Sequence, residues 1–425
     1  MARSSAIVGF MLLGILPLVP SVDLPRLKAG EESPPSSPFP LLKPALQALV
    51  DGGKVPGGVA LVARAGKVVD VTTFGCRDLA TRTPMTEDTI FAVASMTKPI
   101  TCAALMTLVE QKAIGIDDPV EQYLPEFKEL RVLANAREGT EPKDLKSTVS
   151  TVPAKRSVTI RHLLTHTSGI AYGVFDSTDV RLRELYRQAG VIGPRHKTLD
   201  ELISRLAQVP LAHQPGEGWT YGFSHDVLAR VIEVVSGRPF DQFLQERIFT
   251  PLDLPDTVFH VPDGKRDRVA TIYDVGEGGR LVALPKEYGP ETYFGGGGGL
   301  FSTARDYARF VQMLQNGGAL DGTRILEPST VTAMTTNQIG SLAAYGERKY
   351  GLGIGLALAP QLSDGATEVE RYFGGGAYST NFYVLPRHDL ILLLMTQVTP
   401  TNHGGAELVF YRTVKAAIEN EHRAR

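Results

Sequence analysis

Cysteine is almost missing: Cys76 and Cys102 are the only two in 425 residues. That excludes a disulfide framework and a thiolate metal site. The pair reads as two buried thiols, joined only if the fold brings them together. Excess charge is missing too. Lys+Arg 44 against Asp+Glu 46 leaves a net charge of -2. Nothing in that balance favours nucleic acid or an anionic membrane surface as a partner. No apolar run is long enough to span a bilayer. No G-x-S-x-G elbow occurs, so an α/β-hydrolase triad has no support. The glycine run Gly295 to Gly299 is not followed by Gly-Lys-Ser/Thr, which rules out a phosphate loop of that type. No fixed-period repeat is present.

What is there is a chain 43% hydrophobic, long enough for a large core and two packed lobes. Arg3 precedes an apolar run from Ala6 to Val19, broken by Pro17. That is the length of a signal-peptide core, and Val19-Pro20-Ser21 offers a small-residue cleavage site. Residues 1–21 are thus expected to be a signal peptide directing export; without cleavage and export the protein would stay cytoplasmic. Residues 22–40, rich in Pro, Ser and Glu, read as a flexible lead-in. A single domain is expected over 41–425.

Strand signals lie at both ends. Val59 to Ala63 and Val68 to Phe74 flank Arg64-Ala65-Gly66-Lys67, a hairpin pattern. Tyr350 to Leu358 alternates glycine with apolar residues, and Thr380 to Leu385 and Leu390 to Thr396 flank Pro386-Arg387-His388-Asp389. Between them the pattern is helical: Ser95 to Lys112, Ile160 to Leu164 capped by Thr159, Leu199 to Gln208, Asp226 to Val235, and Thr303 to Leu314 with Thr303 and Asp306 as a capping box. Phe410, Val414 and Ile418 mark a terminal helix. The expected fold is α+β: one antiparallel sheet built from both chain ends and flanked by helices, with a mainly helical region of about 116–340 inserted.

Three places can carry chemistry. Ser95 and Lys98, in Ser95-Met96-Thr97-Lys98, stand three apart at a helix start and share one face. A lysine amine there offers the serine hydroxyl a proton acceptor without histidine. Tyr221 lies in the loop Gln214 to Ser224; beside an ammonium its phenolate is favoured and can relay a proton. Phe373-Gly374-Gly375-Gly376-Ala377 precedes a strand, and its glycines would let backbone N–H groups approach an oxyanion. His162 and His166, four apart, have no glutamate after the first histidine and no evident third ligand, so a structural turn is expected rather than a metal site. No cofactor is implied.

These segments resemble the family VIII carboxylesterases, which share the serine β-lactamase and penicillin-binding-protein fold. The carriers are Ser95-Met96-Thr97-Lys98, Thr159 to Gly169, Trp219-Thr220-Tyr221 with Asp226-Val227-Leu228, Gly296 to Thr303, and Phe373 to Ala377. The resemblance runs from about Gly57 to the C-terminus. It implies Ser95 as nucleophile, Lys98 and Tyr221 as general base and proton shuttle, and the N–H groups of Ser95 and Gly376 as oxyanion hole. Phe373 takes the place of the tryptophan in that family's W-G-G motif.

Departures from class C β-lactamases narrow the expectation. Their Tyr-x-Asn is Tyr221-Gly222-Phe223 here, and their Lys-Thr-Gly is Phe373-Gly374-Gly375. Both polar anchors for charged β-lactams are replaced. Phe223, Phe373, Gly374 and Gly375 are therefore expected to line a site for small-molecule esters with apolar, short to medium acyl chains. The alternatives are β-lactamase or D-Ala-D-Ala carboxypeptidase activity, acyl transfer to an alcohol, or a non-catalytic binding protein on the same fold. No stable membrane association is expected. Pocket walls are expected from Arg131 to Lys155 and Ala171 to Pro194.

Overall fold

The computed structural model describes residues 37–134, 149–174, 179–193, 196–358 and 368–424. The signal-peptide expectation falls outside these residues, as do parts of both expected pocket walls.

Among the described residues, eight strands make the central sheet: β1 (Gly57–Arg64), β2 (Lys67–Asp78), β3 (Thr83–Pro84), β4 (Lys349–Tyr350), β5 (Gly355–Leu358), β6 (Val369–Gly376), β7 (Thr380–Leu385) and β8 (Leu390–Met395). Their order is β4-β5-β6-β7-β8-β1-β2-β3, antiparallel throughout. The sheet is thus assembled from both chain ends and closed by β1 against β8, with Val59 opposite Met395. The β1–β2 turn places Ala65 at φ 49° and Gly66 at φ 74°. Two consecutive left-handed residues match the twist of a hairpin and fix its register.

Among the described residues there are ten α-helices: α1 (Leu42–Asp51), α2 (Thr97–Glu110), α3 (Ile160–Leu164), α4 (Val180–Gln188), α5 (Leu199–Leu206), α6 (Ser224–Ser236), α7 (Phe240–Leu244), α8 (Ala304–Gln315), α9 (Pro328–Met334) and α10 (Ala406–Ala424). α1, inside the stretch bordering the expected lead-in, has no counterpart in the sequence reading. Strand β8 reads Leu-Ile-Leu-Leu-Leu-Met because both of its faces are covered. Ile391, Leu393 and Met395 join the main core with α2 and α8. Leu390, Leu392 and Leu394 meet α1 and the Phe410, Val414 and Ile418 face of α10.

Helix α2 is the spine of the molecule. Every residue from Thr97 to Leu108 is buried, the signature of a helix surrounded by protein on all sides. It starts later than expected, because Ala94–Met96 form a 3₁₀ turn first. The alternating stretch Tyr350 to Leu358 is two strands, not one. Gly353 turns between them at φ 73°, and any Cβ on it would overlap Cys102 Sγ. The α8 cap is half of the expected box. Thr303 Oγ1 accepts from the Asp306 N–H at 3.2 Å, but the Asp306 carboxylate accepts from Asp256 N–H at 2.7 Å and from the Thr257 hydroxyl at 3.1 Å. Cys76 and Cys102 are both free thiols, and burial pushes the Cys102 thiol far up.

Candidate active site

Ser95 sits on the 3₁₀ turn that feeds α2. Ala94 just before it has φ 45°, a left-handed backbone conformation uncommon for a residue with a Cβ. The turn is held from behind by Tyr307, whose hydroxyl donates to the Met96 carbonyl at 2.7 Å. Ser95 is half-buried, whereas Lys98 is only 1% exposed. A reachable hydroxyl above a buried amine is the first property the site needs.

The Lys98 ammonium has three hydrogens and three partners. It donates to Ser95 Oγ at 3.1 Å, to the Tyr172 hydroxyl at 2.9 Å and to the Gly297 carbonyl at 2.6 Å. Its Nζ also stands 4.5 Å from the centre of the Tyr221 ring. The three S-x-x-K and tyrosine positions read from the sequence, Ser95, Lys98 and Tyr221, therefore meet. A second phenol, Tyr172, was not among them. It follows directly on the Thr165–Gly169 turn, and 74 positions separate it from Lys98; no local pattern links the two.

Tyr221 faces Lys98 with its ring and shares a hydroxyl hydrogen bond with Tyr345. Around them lies a cluster of aromatic rings. Phe223 meets Tyr172 edge-on at 4.6 Å, and Trp219 meets Tyr345 edge-on at 4.6 Å. Burial, then the Asp226 carboxylate, holds the Tyr172 phenol well above its ordinary range. The His166 ring lies tilted by 40° against both Tyr221 and His225, its centre 4.6 Å from each. Both imidazoles are fully buried, which drives their pKa values far down and keeps them neutral. His162 is spent elsewhere. Its Nδ1 accepts from the Thr159 N–H at 3.1 Å, closing a capping box on α3.

The glycine run has a positional role. Gly296 and Gly297 thread between α2 and α6, and a Cβ on Gly296 would overlap the His225 carbonyl. Their carbonyls accept from the Thr101 hydroxyl at 2.8 Å and from Lys98 at 2.6 Å. Thr97 Oγ1 in turn accepts from the N–H groups of Gly299 and Leu300, each at 3.2 Å. Only side-chain-free backbone can come this close to a buried lysine.

The strand β6 divides the expected substrate contacts. Side chains alternate across a sheet. Gly374 pairs with Phe382 and Gly376 with Thr380, on the face of the main core. A Cβ on Gly376 would overlap the Val93 carbonyl, so this backbone lies against the Ser95 turn. Phe373 and Gly375 face the other way. The Phe373 ring lies 6.0 Å from Tyr383, which meets Tyr411 of α10 at 5.4 Å, and 5.0 Å from the Arg348 guanidinium. The Phe373 ring packs in the cluster under α10, and Gly376 is the β6 glycine whose backbone lies against the Ser95 turn.

Among the described residues no group of His, Cys, Asp or Glu could hold a metal ion, and no helix is long and apolar enough to cross a membrane. Known proteins share this architecture. Protein Rv1367c of Mycobacterium tuberculosis (strain ATCC 25618 / H37Rv) is 36% identical over 371 residues, 84% of this chain and 89% of that protein. Esterase EstB of Burkholderia gladioli is 30% identical over 379 residues, 83% of this chain and 88% of that one. A solved structure of EstCE1, described as a hydrolase with promiscuous acyltransferase activity, superposes with a TM-score of 0.71 at 26% identity, covering 88% of this chain and 98% of that one. With the Beta-lactamase family's sequence model matching residues 42–416 on top of these, the chain belongs to the Beta-lactamase family and is a serine hydrolase on the β-lactamase/transpeptidase-like fold.

Proposed function

We propose that this protein hydrolyses carboxylic esters with apolar acyl groups through a covalent Ser95 acyl-enzyme. The observation that carries this reading is the Lys98 Nζ, 3.1 Å from Ser95 Oγ and fixed there by Tyr172 and Gly297. Lys98 in its uncharged form takes the Ser95 proton as Oγ bonds to the ester carbonyl carbon. The hydroxyls of Tyr172 and Tyr221 pass that proton onward to the departing alkoxide. The oxyanion forms against the N–H groups of Ser95 and Gly376. When the tetrahedral intermediate collapses, the C–O bond to the alcohol breaks and the acyl group stays on Ser95. Water then adds to the acyl carbon and gives a proton to Lys98; as the C–O bond to Ser95 breaks and the acid leaves, Lys98 returns that proton to Ser95 Oγ.

The aromatic rings gathered around Lys98 and the aromatic residue Phe373 in place of a lysine favour apolar esters over charged β-lactams. Phe373 stands where class C β-lactamases carry the lysine of Lys-Thr-Gly, so that anchor for a β-lactam carboxylate is replaced. The names Esterase EstB and EstCE1 support the same reaction class. Acyl transfer to an alcohol is a second outcome of the same intermediate, and the promiscuous transfer named for EstCE1 favours it as a side activity.

The test offers a short-chain aryl ester, a longer-chain ester and a chromogenic cephalosporin to the wild type and to Ser95→Ala. Ester turnover lost in Ser95→Ala, with an acyl adduct on wild-type Ser95 by mass spectrometry, is the expected result. Equal turnover in both proteins removes Ser95 as nucleophile. Cephalosporin hydrolysis far ahead of ester hydrolysis overturns the esterase reading.

A further inference from the structure

Asp226 is a buried carboxylate that no step above uses. It lies in the first turn of α6, 3% exposed. Its Oδ1 accepts from the Gly297 N–H at 3.2 Å and from the Tyr293 hydroxyl at 3.2 Å. Among the described residues it makes no contact ion pair. A buried carboxylate without a cation in contact costs stability unless its surroundings compensate the charge. Two features do so: the first turn of a helix favours a negative charge, and Lys98 lies just across Gly297.

That geometry is close. A Cβ placed on Gly297 would overlap Asp226 Oδ2 on one side and lie 2.8 Å from the Tyr172 hydroxyl on the other. The same Gly297 gives its N–H to Asp226 and its carbonyl to Lys98. One residue of bare backbone therefore separates the carboxylate from both the amine and the phenol of the catalytic set. The charged and titratable groups facing this spot are Lys98 from α2, Tyr172 and Tyr221 from the loops, Tyr293 beside the glycine run, and the neutral His225 on α6.

We propose that Asp226 is a positioning residue with two effects: it clamps the Gly295–Gly299 run under Lys98, and its charge sets the pH at which Lys98 becomes a base. This inference rests on the ester-hydrolase reading. A negative charge so near favours the protonated amine and the neutral phenol. Burial raises the Asp226 pKa, while Lys98 lowers it in return, as mutual coupling requires.

The experiment is the pH profile of kcat/KM for an aryl ester, whose acid limb reports the base of the free enzyme. Asp226→Asn keeps an oxygen for Gly297 and Tyr293 and removes only the charge. Its acid limb is expected to move to lower pH by about one unit or more. Asp226→Ser, smaller and also uncharged, is expected to shift the limb the same way and to lose kcat through the slackened clamp. It decides the matter if the asparagine variant does not fold. Tyr293→Phe keeps the charge and is expected to leave the limb in place. A limb unmoved in the folded uncharged variants, or moved to higher pH, overturns the proposal. Absence of ester turnover and of a Ser95 adduct in the wild type is a different failure; it overturns the ester-hydrolase reading on which the proposal stands.

Discussion

The Lys98 ammonium donates to the Tyr172 hydroxyl at 2.9 Å. This bond joins the spine helix α2 to the loop after α3, and it gives the amine a phenol as a direct proton partner. Tyr221 meets the same ammonium through its ring face. Two tyrosines therefore flank one lysine.

Tyr172→Phe removes the hydroxyl and keeps the ring against Phe223. Its ester kcat is expected to fall roughly 10²–10⁴-fold with little change in KM, as loss of a positioned acid–base group does. Tyr221→Phe carries the same expected loss. Steady-state kinetics on one aryl ester checks both. A Tyr172→Phe enzyme at the wild-type rate would leave that phenol a packing aromatic and return the proton path to Tyr221 alone.

Gly297→Ala tests the backbone cradle. The added methyl has no room between Asp226 and Tyr172, so the carbonyl that holds Lys98 must shift. A displacement of an ångström at a reacting group costs on the order of 10²-fold in rate. The expected outcome is a folded protein, by circular dichroism, with kcat reduced at least about that much. Near-normal activity would show that the Gly297 carbonyl does not fix Lys98.

Asp78 makes a prediction about stability. Its Oδ1 accepts from the Ala80 and Thr81 N–H groups at 3.0 and 3.1 Å, and its Oδ2 from the Thr271 hydroxyl at 2.8 Å and Lys286 at 3.1 Å. The Thr81 N–H above all, then Thr271 and Lys286, hold its carboxyl far below the ordinary 3.8. A group depressed on folding stabilises the protein above its unfolded pKa, and that share is withdrawn as pH falls below it. Asp78→Ala is expected to cost about 2 kcal/mol at neutral pH. Between pH 4 and 2 the variant should lose less stability than the wild type. Urea unfolding at several pH values checks this, and parallel losses would show Asp78 carries no pH-linked stability.

Much of the fold was legible because its signals are local. The hairpin turn at Ala65-Gly66, the Thr159 cap and the apolar run of β8 each follow from a few neighbouring residues. The antiparallel α+β sheet from both chain ends follows from where those signals fall. Ser95 and Lys98 were legible for the same reason, since three residues on one helix turn fix their proximity.

What tertiary structure decided involves residues far apart in sequence. The face of β6 depends on strand register, and that register sends Phe373 toward α10 and lays Gly376 against the Ser95 turn. Tyr172 reaches Lys98 only because α3 packs on α6, beside the spine helix. Asp226 and Gly297 become neighbours of the lysine only when the glycine run is threaded between α2 and α6. Sequence alone determined which groups could react, because side-chain chemistry and helical spacing are written residue by residue. The packing determined which phenol, which carbonyl and which carboxylate surround them, because contact between distant segments is settled only when the core closes.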